Sequence, residues 1–261
     1  MKTTLDCIPC FVRQLLDVIK MTTENPANQE SLMRDGLKWI SETDIANTPP
    51  AVSQLLHRKL RESTEVNDPY RSAKDAHNKL ASELVIPLKS RLENCADPLL
   101  VALRYAITGN VIDLGAKNGI NREDIYAEMK DADKQPLFGD LNAFQEAIIN
   151  AKKILYLADN AGEIFFDRLL IEQLPAGRVT LAVRGAPVIN DATSEDAQAA
   201  GIGEIGEIID NGSDAPGTIL ENCSPEFQSR FQSADMIISK GQGNYETLSD
   251  AGKNICLLYT S

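Results

Sequence analysis

The sequence predicts an α/β protein: a helical N-terminal region followed by a Rossmann-like three-layer α/β/α domain with a mostly parallel sheet. Three observations carry this. Residues 1 to about 115 show apolar positions at helical spacing and few strand-like alternations. From Lys153 onward, short aliphatic runs alternate with helical segments, the pattern of a parallel sheet covered on both faces. Within that part, ILYLADNAGEIFFD (154–167) is an apolar strand running straight into Asp159 and Asn160, then the small-residue turn Ala161-Gly162. Polar groups so placed stand at the carboxyl edge of a sheet, where open α/β folds bind ligands.

In the helical region (1–115), Phe11, Leu15, Leu16 and Ile19 form one apolar stripe and Val52, Leu55, Leu56 and Leu60 a second. Leu80, Leu84, Leu88 and Leu92 form a third, which Pro87 is expected to kink or divide. Asp97-Pro98 opens PLLVALRYAIT, with proline at an early helical position, and Gly109-Asn110 stops it. Two further helices are expected in the second domain (116–261), one capped by Asn121 and one over about 140–150.

The α/β series then runs strand ILYLA, helix IFFDRLLIEQL, strand RVTLAV, loop RGAPVIND and helix SEDAQAA. Strand EIIDN, helices TILENC and PEFQSRF, strand DMIISK, helix YETLSDAG and strand NICLLY follow. Only Thr260 and Ser261 come after the last strand. A sheet domain does not usually stop there, which points to a truncated or non-native end.

Charge and cysteine usage narrow the function classes. With 38 acidic against 26 basic residues the chain lacks the basic footprint of a nucleic-acid binder. No apolar run reaches the ~20 residues that span a bilayer, and MKTTLDCIPC has no signal-peptide core. Five irregularly spaced cysteines do not make a secreted disulfide framework. A cytoplasmic enzyme that recruits cations is expected, with no nucleic-acid or membrane partner.

Three loops after predicted strands carry the chemistry. In Asp159-Asn160-Ala161-Gly162-Glu163 the hard oxygens of Asp and Asn suit Mg²⁺ or Mn²⁺, although the same residues also make ordinary turns. In Arg184-Gly185-Ala186-Pro187-Val188-Ile189-Asn190-Asp191, Asp191 reads as a helix cap or a ligand. Thr193 and Asp196 can form a capping box without it. In Ser239-Lys240-Gly241-Gln242-Gly243-Asn244-Tyr245-Glu246, a lysine and backbone N–H groups suit an anion, and the Walker A spacing is absent. Two carboxylates, an amide and a cationic clamp together are the kit of phosphoryl transfer to water. A fourth element, Gly109-Asn110-Val111-Ile112-Asp113, reads as a helix C-cap whose apolar-flanked Asp113 can reach the site.

GNVID (109–113), DNAGE (159–163), RGAPVIND (184–191) and KGQGNYE (240–246), in this order, resemble the damage-control phosphatase family. The similarity spans nearly the whole chain, and the N-terminal Asp6-Cys7-Ile8-Pro9-Cys10 is similar to that family's prokaryotic branch. The resemblance implies Asp159, Asn160 and Asp191 as ligands of Mn²⁺, Co²⁺, Ni²⁺ or Mg²⁺, and Lys240 on the phosphate of a sugar phosphate or related metabolite. Gly241, Gly243, Asn244, Asn110 and Asp113 complete the expected substrate contacts, and Asp159, Lys240 and Glu163 the catalytic set. Whether metal-bound water or a carboxylate attacks stays open.

Two other readings are carried along: S-adenosylmethionine-dependent transfer to carboxylates, and a non-catalytic module for an anionic metabolite. Cys7 and Cys10 are read as structural, against redox activity or half a zinc site. His57 and His77 lie in helical segments and are read as surface or core residues. GIGEIG (201–206) spells a dinucleotide fingerprint but follows a helix and precedes a strand, the reverse of what that motif needs.

Overall fold

Proline at the first turn, preceded by a short polar side chain, starts three of the five helices described up to Thr108. The computed structural model describes residues 1–112 and 122–259. These helices are α1 (Cys7–Thr22), α2 (Pro26–Ser41), α3 (Pro49–Thr64), α4 (Arg71–Leu92) and α5 (Pro98–Thr108). Asn25, Thr48 and Asp97 cap α2, α3 and α5 by accepting backbone N–H groups. α4 runs unbroken through Pro87, because Leu84, Leu88 and Leu92 bury one continuous stripe on both sides of the proline. The helix is held by that tertiary packing, which outweighs the one lost hydrogen bond.

The helical region divides into two packing groups. Phe11, Leu15, Val18 and Ile19 of α1 close a small core with Ile40, Val52, Leu56, Leu60 and Tyr70. α4 and α5 instead share the main core with the sheet, reaching Ile154, Tyr156, Phe166 and Ile238. Helices Arg122–Asp131 and Leu141–Asn150 join that core through Ile125, Met129, Phe144 and Ile148. Asn121, the expected cap of the first, and Asp113 lie outside the described residues.

Among the described residues the sheet has five strands, β1 (Ile154–Leu157), β2 (Val179–Val183), β3 (Glu207–Asp210), β4 (Met236–Lys240) and β5 (Ile255–Leu258). They lie in the order β3-β2-β1-β4-β5, all parallel. β1 and β4 are central and buried throughout, consistent with their unbroken apolar runs. Helices Glu163–Ile171, Ser194–Ala199, Pro225–Ser233 and Gln242–Leu248 connect or flank them.

Two elements depart from expectation. TILENC forms only a 3-10 turn, Leu220–Asn222. Ser224, extended before Pro225, gives its N–H to Asn211 and caps the next helix instead. The helix expected from Tyr245 begins earlier, at Gln242, because Gly241 at φ +82° makes the whole turn out of β4. GIGEIG leads through a 3-10 turn into β3, in the order that excludes a dinucleotide loop. Among the described residues no helix is long and apolar enough to cross a membrane.

Candidate active site

Strand order reverses between β1 and β4, so a crevice opens at their carboxyl ends. Asp159 and Asn160 leave β1 there and Lys240-Gly241 leave β4. The two turns interlock, for a Cβ on Gly241 would overlap the Asp159 carboxylate. The loop after β2 is tied to the same place. Asn160 and Asp191 form an antiparallel bridge, Ala192 N–H donates to Asp159 O at 2.7 Å, and Ala161 N–H donates to Asn190 O at 2.9 Å. All three sequence-marked loops therefore meet. The Thr193–Asp196 capping box is present, which relieves Asp191 of the capping role.

Asp159 is the wet carboxylate of the group, with a side chain 17 % exposed. It lines two adjoining cavities of about 490 and 510 Å³. Burial raises its pKa well above the usual carboxylate value, and the nearby Glu163 and Asp191 charges push the same way, against Arg184 and Lys240. Asn160 Nδ2 donates to Asp159 Oδ2 at 2.9 Å, Glu163 Oε2 at 3.1 Å and Asn110 Oδ1 at 3.4 Å. Asn110 thus does reach the site from the end of α5.

Lys240 is 1 % exposed and faces inward. Its ammonium donates to Glu163, to Asp167 Oδ1 at 2.7 Å and to Ala106 O at 2.7 Å. Tyr156 OH donates to the same Asp167 oxygen at 2.7 Å. Burial raises the Asp167 carboxyl to about 6 although Lys240 opposes it. Burial works against the Lys240 ammonium, but the Asp167 and Glu163 charges outweigh it and hold its pKa above the ordinary lysine value. Gly241 and Gly243 line the cavities, while Asn244 is buried beneath them. Asn244 Nδ2 donates to Lys240 O at 2.8 Å, and its Oδ1 accepts from Thr218 Oγ1 at 2.8 Å.

Several residues of the site have no role assigned from the sequence, Arg184 among them although it opens the RGAPVIND loop. Arg184, 3 % exposed at the end of β2, donates from Nε to Asp191 Oδ2 at 2.6 Å and from Nη1 to Asn244 Oδ1 at 3.3 Å. Its Nη2 lies 3.9 Å from Asp159 Oδ1. An arginine ending a buried aliphatic strand is the signal that could have found it. Asn78 of α4 accepts the Gly162 N–H on Oδ1 at 2.7 Å and donates to Asp196 Oδ1 at 2.8 Å. α3 is clamped to the far loops. Gln54 and Arg58 donate to Asp214, Arg61 pairs with it, and Arg61 also donates to Pro187 O at 3.1 Å. Burial would raise the Asp214 carboxyl, but Arg58, Gln54 and Arg61 together hold it below the usual range.

A hard divalent cation fits these donors. Among the described residues no three His, Cys, Asp or Glu side chains form a ready-made cage. Asp159, Asn160 and Asp191 offer two carboxylates and an amide, and Mg²⁺-like ions fill their remaining positions with water and substrate oxygens. Among the described residues the Asn160 Oδ1 accepts no hydrogen bond, and the Asp159 carboxyl, raised first by burial and then by the Glu163 and Asp191 charges, is a group whose charged form a cation would favour. Cys7 and Cys10 are free and line the 510 Å³ cavity, with Pro9 in the first turn of α1.

The chain matches the damage-control phosphatase ARMT1-like domain over residues 3–261. It is 38% identical to an uncharacterized protein of Methanocaldococcus jannaschii, over 94% of this chain and 83% of that one. It is 32% identical to proteins named damage-control phosphatase from Pyrococcus horikoshii and Archaeoglobus fulgidus, over 96% and 100% of this chain and 87% and 92% of theirs. A crystal structure of the DUF89-family protein of P. horikoshii superimposes with a TM-score of 0.91 at 32% identity, covering 99% of this chain and 91% of that one. The chain belongs to the damage-control phosphatase ARMT1-like family.

Proposed function

We propose that the protein is a metal-dependent phosphomonoester hydrolase acting on small phosphorylated metabolites, sugar phosphates foremost. Mn²⁺, Co²⁺, Ni²⁺ or Mg²⁺ would be held by Asp159, Asn160 and Asp191. The observation that carries this is the meeting of three polar loops around one partly exposed carboxylate, Asp159, at the sheet's switch point. When bound, such a cation polarises phosphoryl oxygens and acidifies water.

The chain's own residues do the rest. Glu163 accepts from Asn160 and so fixes which face of that amide is presented to the cavity. Lys240 acts through Glu163, its single ammonium shared between that carboxylate and Asp167 in a dry environment. Arg184 holds Asp191 and Asn244 in register with Asp159. Gln242 and Gly243 bring the first-turn N–H groups of the last helix to the cavity wall, where a phosphoryl group can meet them.

S-adenosylmethionine-dependent transfer is less well supported. A cofactor cradle after the first strand needs open backbone, yet the Gly162 N–H is taken by Asn78 and His77 packs against the glycine. A screen of phosphate esters with each of the four metals tests the proposal. Phosphate release from at least one ester, abolished by a chelator, is expected; no release with any metal would refute it.

A further inference from the structure

Besides the metal-ligand loops, the wall of the 510 Å³ cavity includes α1, α3 and the last helix, and the charged residues these add, Asp6 and Glu246, are acidic. The residues lining this cavity include Asp6 and Glu246 as well as Asp159 and Asp191, and among the described residues no lysine or arginine. Arg184 and Lys240 are buried and bound to Asp191 and to Glu163 with Asp167, and the Met1 ammonium beside Glu246 donates to the Glu246 backbone oxygen at 3.0 Å. A cation and a phosphoryl group would engage Asp159 and Asp191, which leaves Asp6 and Glu246 facing the body of the substrate. The remaining polar groups of that wall are neutral. Ser53, 4 % exposed, donates to Gln14 Oε1 at 3.1 Å, and Gln14 Nε2 finds no acceptor within the described residues. On the metal-ligand side of the same cavity, Asn160, more than nine-tenths buried, presents an amide oxygen without a donor among the described residues.

From this geometry we infer that the cavity selects monophosphate esters with an uncharged or amine-bearing, hydroxyl-rich body and rejects those carrying a second anionic group. Asp6 and Glu246 impose the rejection, because a second carboxylate or phosphate would meet like charges on a lining that holds no lysine or arginine among the described residues, the Met1 ammonium being already engaged by the Glu246 backbone oxygen. Gln14 and Ser53 supply the hydrogen bonds that read hydroxyls. This selection rests on the phosphatase reading for the phosphate end of the ligand, but the body's binding can be measured without turnover.

The test uses three esters of matched size with Mn²⁺ present: a hexose 6-phosphate, a hexosamine 6-phosphate and a phosphorylated hexonic acid. The expected kcat/KM for the hexose and hexosamine esters exceeds that for the acid by about tenfold or more. In the Asp6→Asn, Glu246→Gln double variant that ratio is expected to shrink to about threefold or less. Alkylation of the exposed Cys10, which lines the cavity, gives a readout independent of catalysis. The neutral ester is expected to protect Cys10 from N-ethylmaleimide at about a tenth of the concentration the acid needs. If no ester is hydrolysed while that difference in protection persists, the selection stands and the phosphatase reading falls. Equal kcat/KM, equal protection, or a ratio unmoved in the double variant overturns the inference.

Discussion

Arg184 Nε donates to Asp191 Oδ2 across 2.6 Å, tying the end of β2 to the far side of the loop that β2 feeds. The guanidinium is almost fully buried, so this bond fixes the loop in a way a flexible ammonium cannot. Arg184→Met is expected to destabilise the protein by about 3–5 kcal/mol, the usual result of stripping one partner from a buried pair. Arg184→Lys keeps charge but loses the fork, and is expected to fold while losing about 100-fold in kcat/KM. Urea denaturation and phosphate release measure the two effects. Full activity in the lysine variant would show that the fork does not position Asp191.

Lys240 balances two buried carboxylates, Glu163 and Asp167. Lys240→Met therefore leaves both without their counterion and is expected to cost about 3–5 kcal/mol. Adding Asp167→Asn removes one orphaned charge and should recover part of that loss. Additive costs in the double-variant cycle would show that the two groups are not coupled.

How much of this was legible in the sequence differs from residue to residue. Asp159 and Asn160 stand out because a buried strand of period-free apolar residues ends abruptly in them, and the parallel sheet follows from strand–helix alternation. Asp191 is legible because the capping box is complete without it. The identity of Lys240 is legible but its surroundings are not: Glu163 lies 77 positions away, and only folding brings helix Glu163–Ile171 under the end of β4. Asn78 gives no signal at all, since a polar residue on an amphipathic helix ordinarily faces solvent. The division of the helices between two cores is hidden for the same reason, because periodicity shows that a face is buried but not against what.

Asn78 joins α4 to the DNAGE turn by accepting the Gly162 N–H. Asn78→Ala leaves that N–H buried and unsatisfied, at an expected cost of about 1–3 kcal/mol. It should also lower kcat/KM by loosening the Asp159–Glu163 turn. A variant of unchanged stability and kinetics would show that α4 does not hold the turn.

His57 is buried on α3 with its pKa lowered to about 4 by burial, with Arg61 adding to the effect and Asp214 opposing it. In the unfolded chain an ordinary histidine protonates near 6.5. As pH falls from about 6.5 to about 4, the unfolded state therefore takes up the proton first and stability declines, by about 3 kcal/mol in total. Above that window the contribution is fully present. Urea midpoints across pH 4 to 7 should fall less steeply for His57→Leu than for the parent chain. Identical slopes would show that His57 is not the titrating group.

The central claim is that Asp159 anchors a catalytic cation at the β1–β4 switch point. It is tested most directly by titrating Mn²⁺ into the parent chain and Asp159→Asn by calorimetry, alongside phosphate release from one hydrolysed ester. The account predicts measurable Mn²⁺ binding and metal-dependent release in the parent chain, with both lost or weakened at least about 100-fold in the variant. Unchanged Mn²⁺ affinity and unchanged turnover in Asp159→Asn would contradict it.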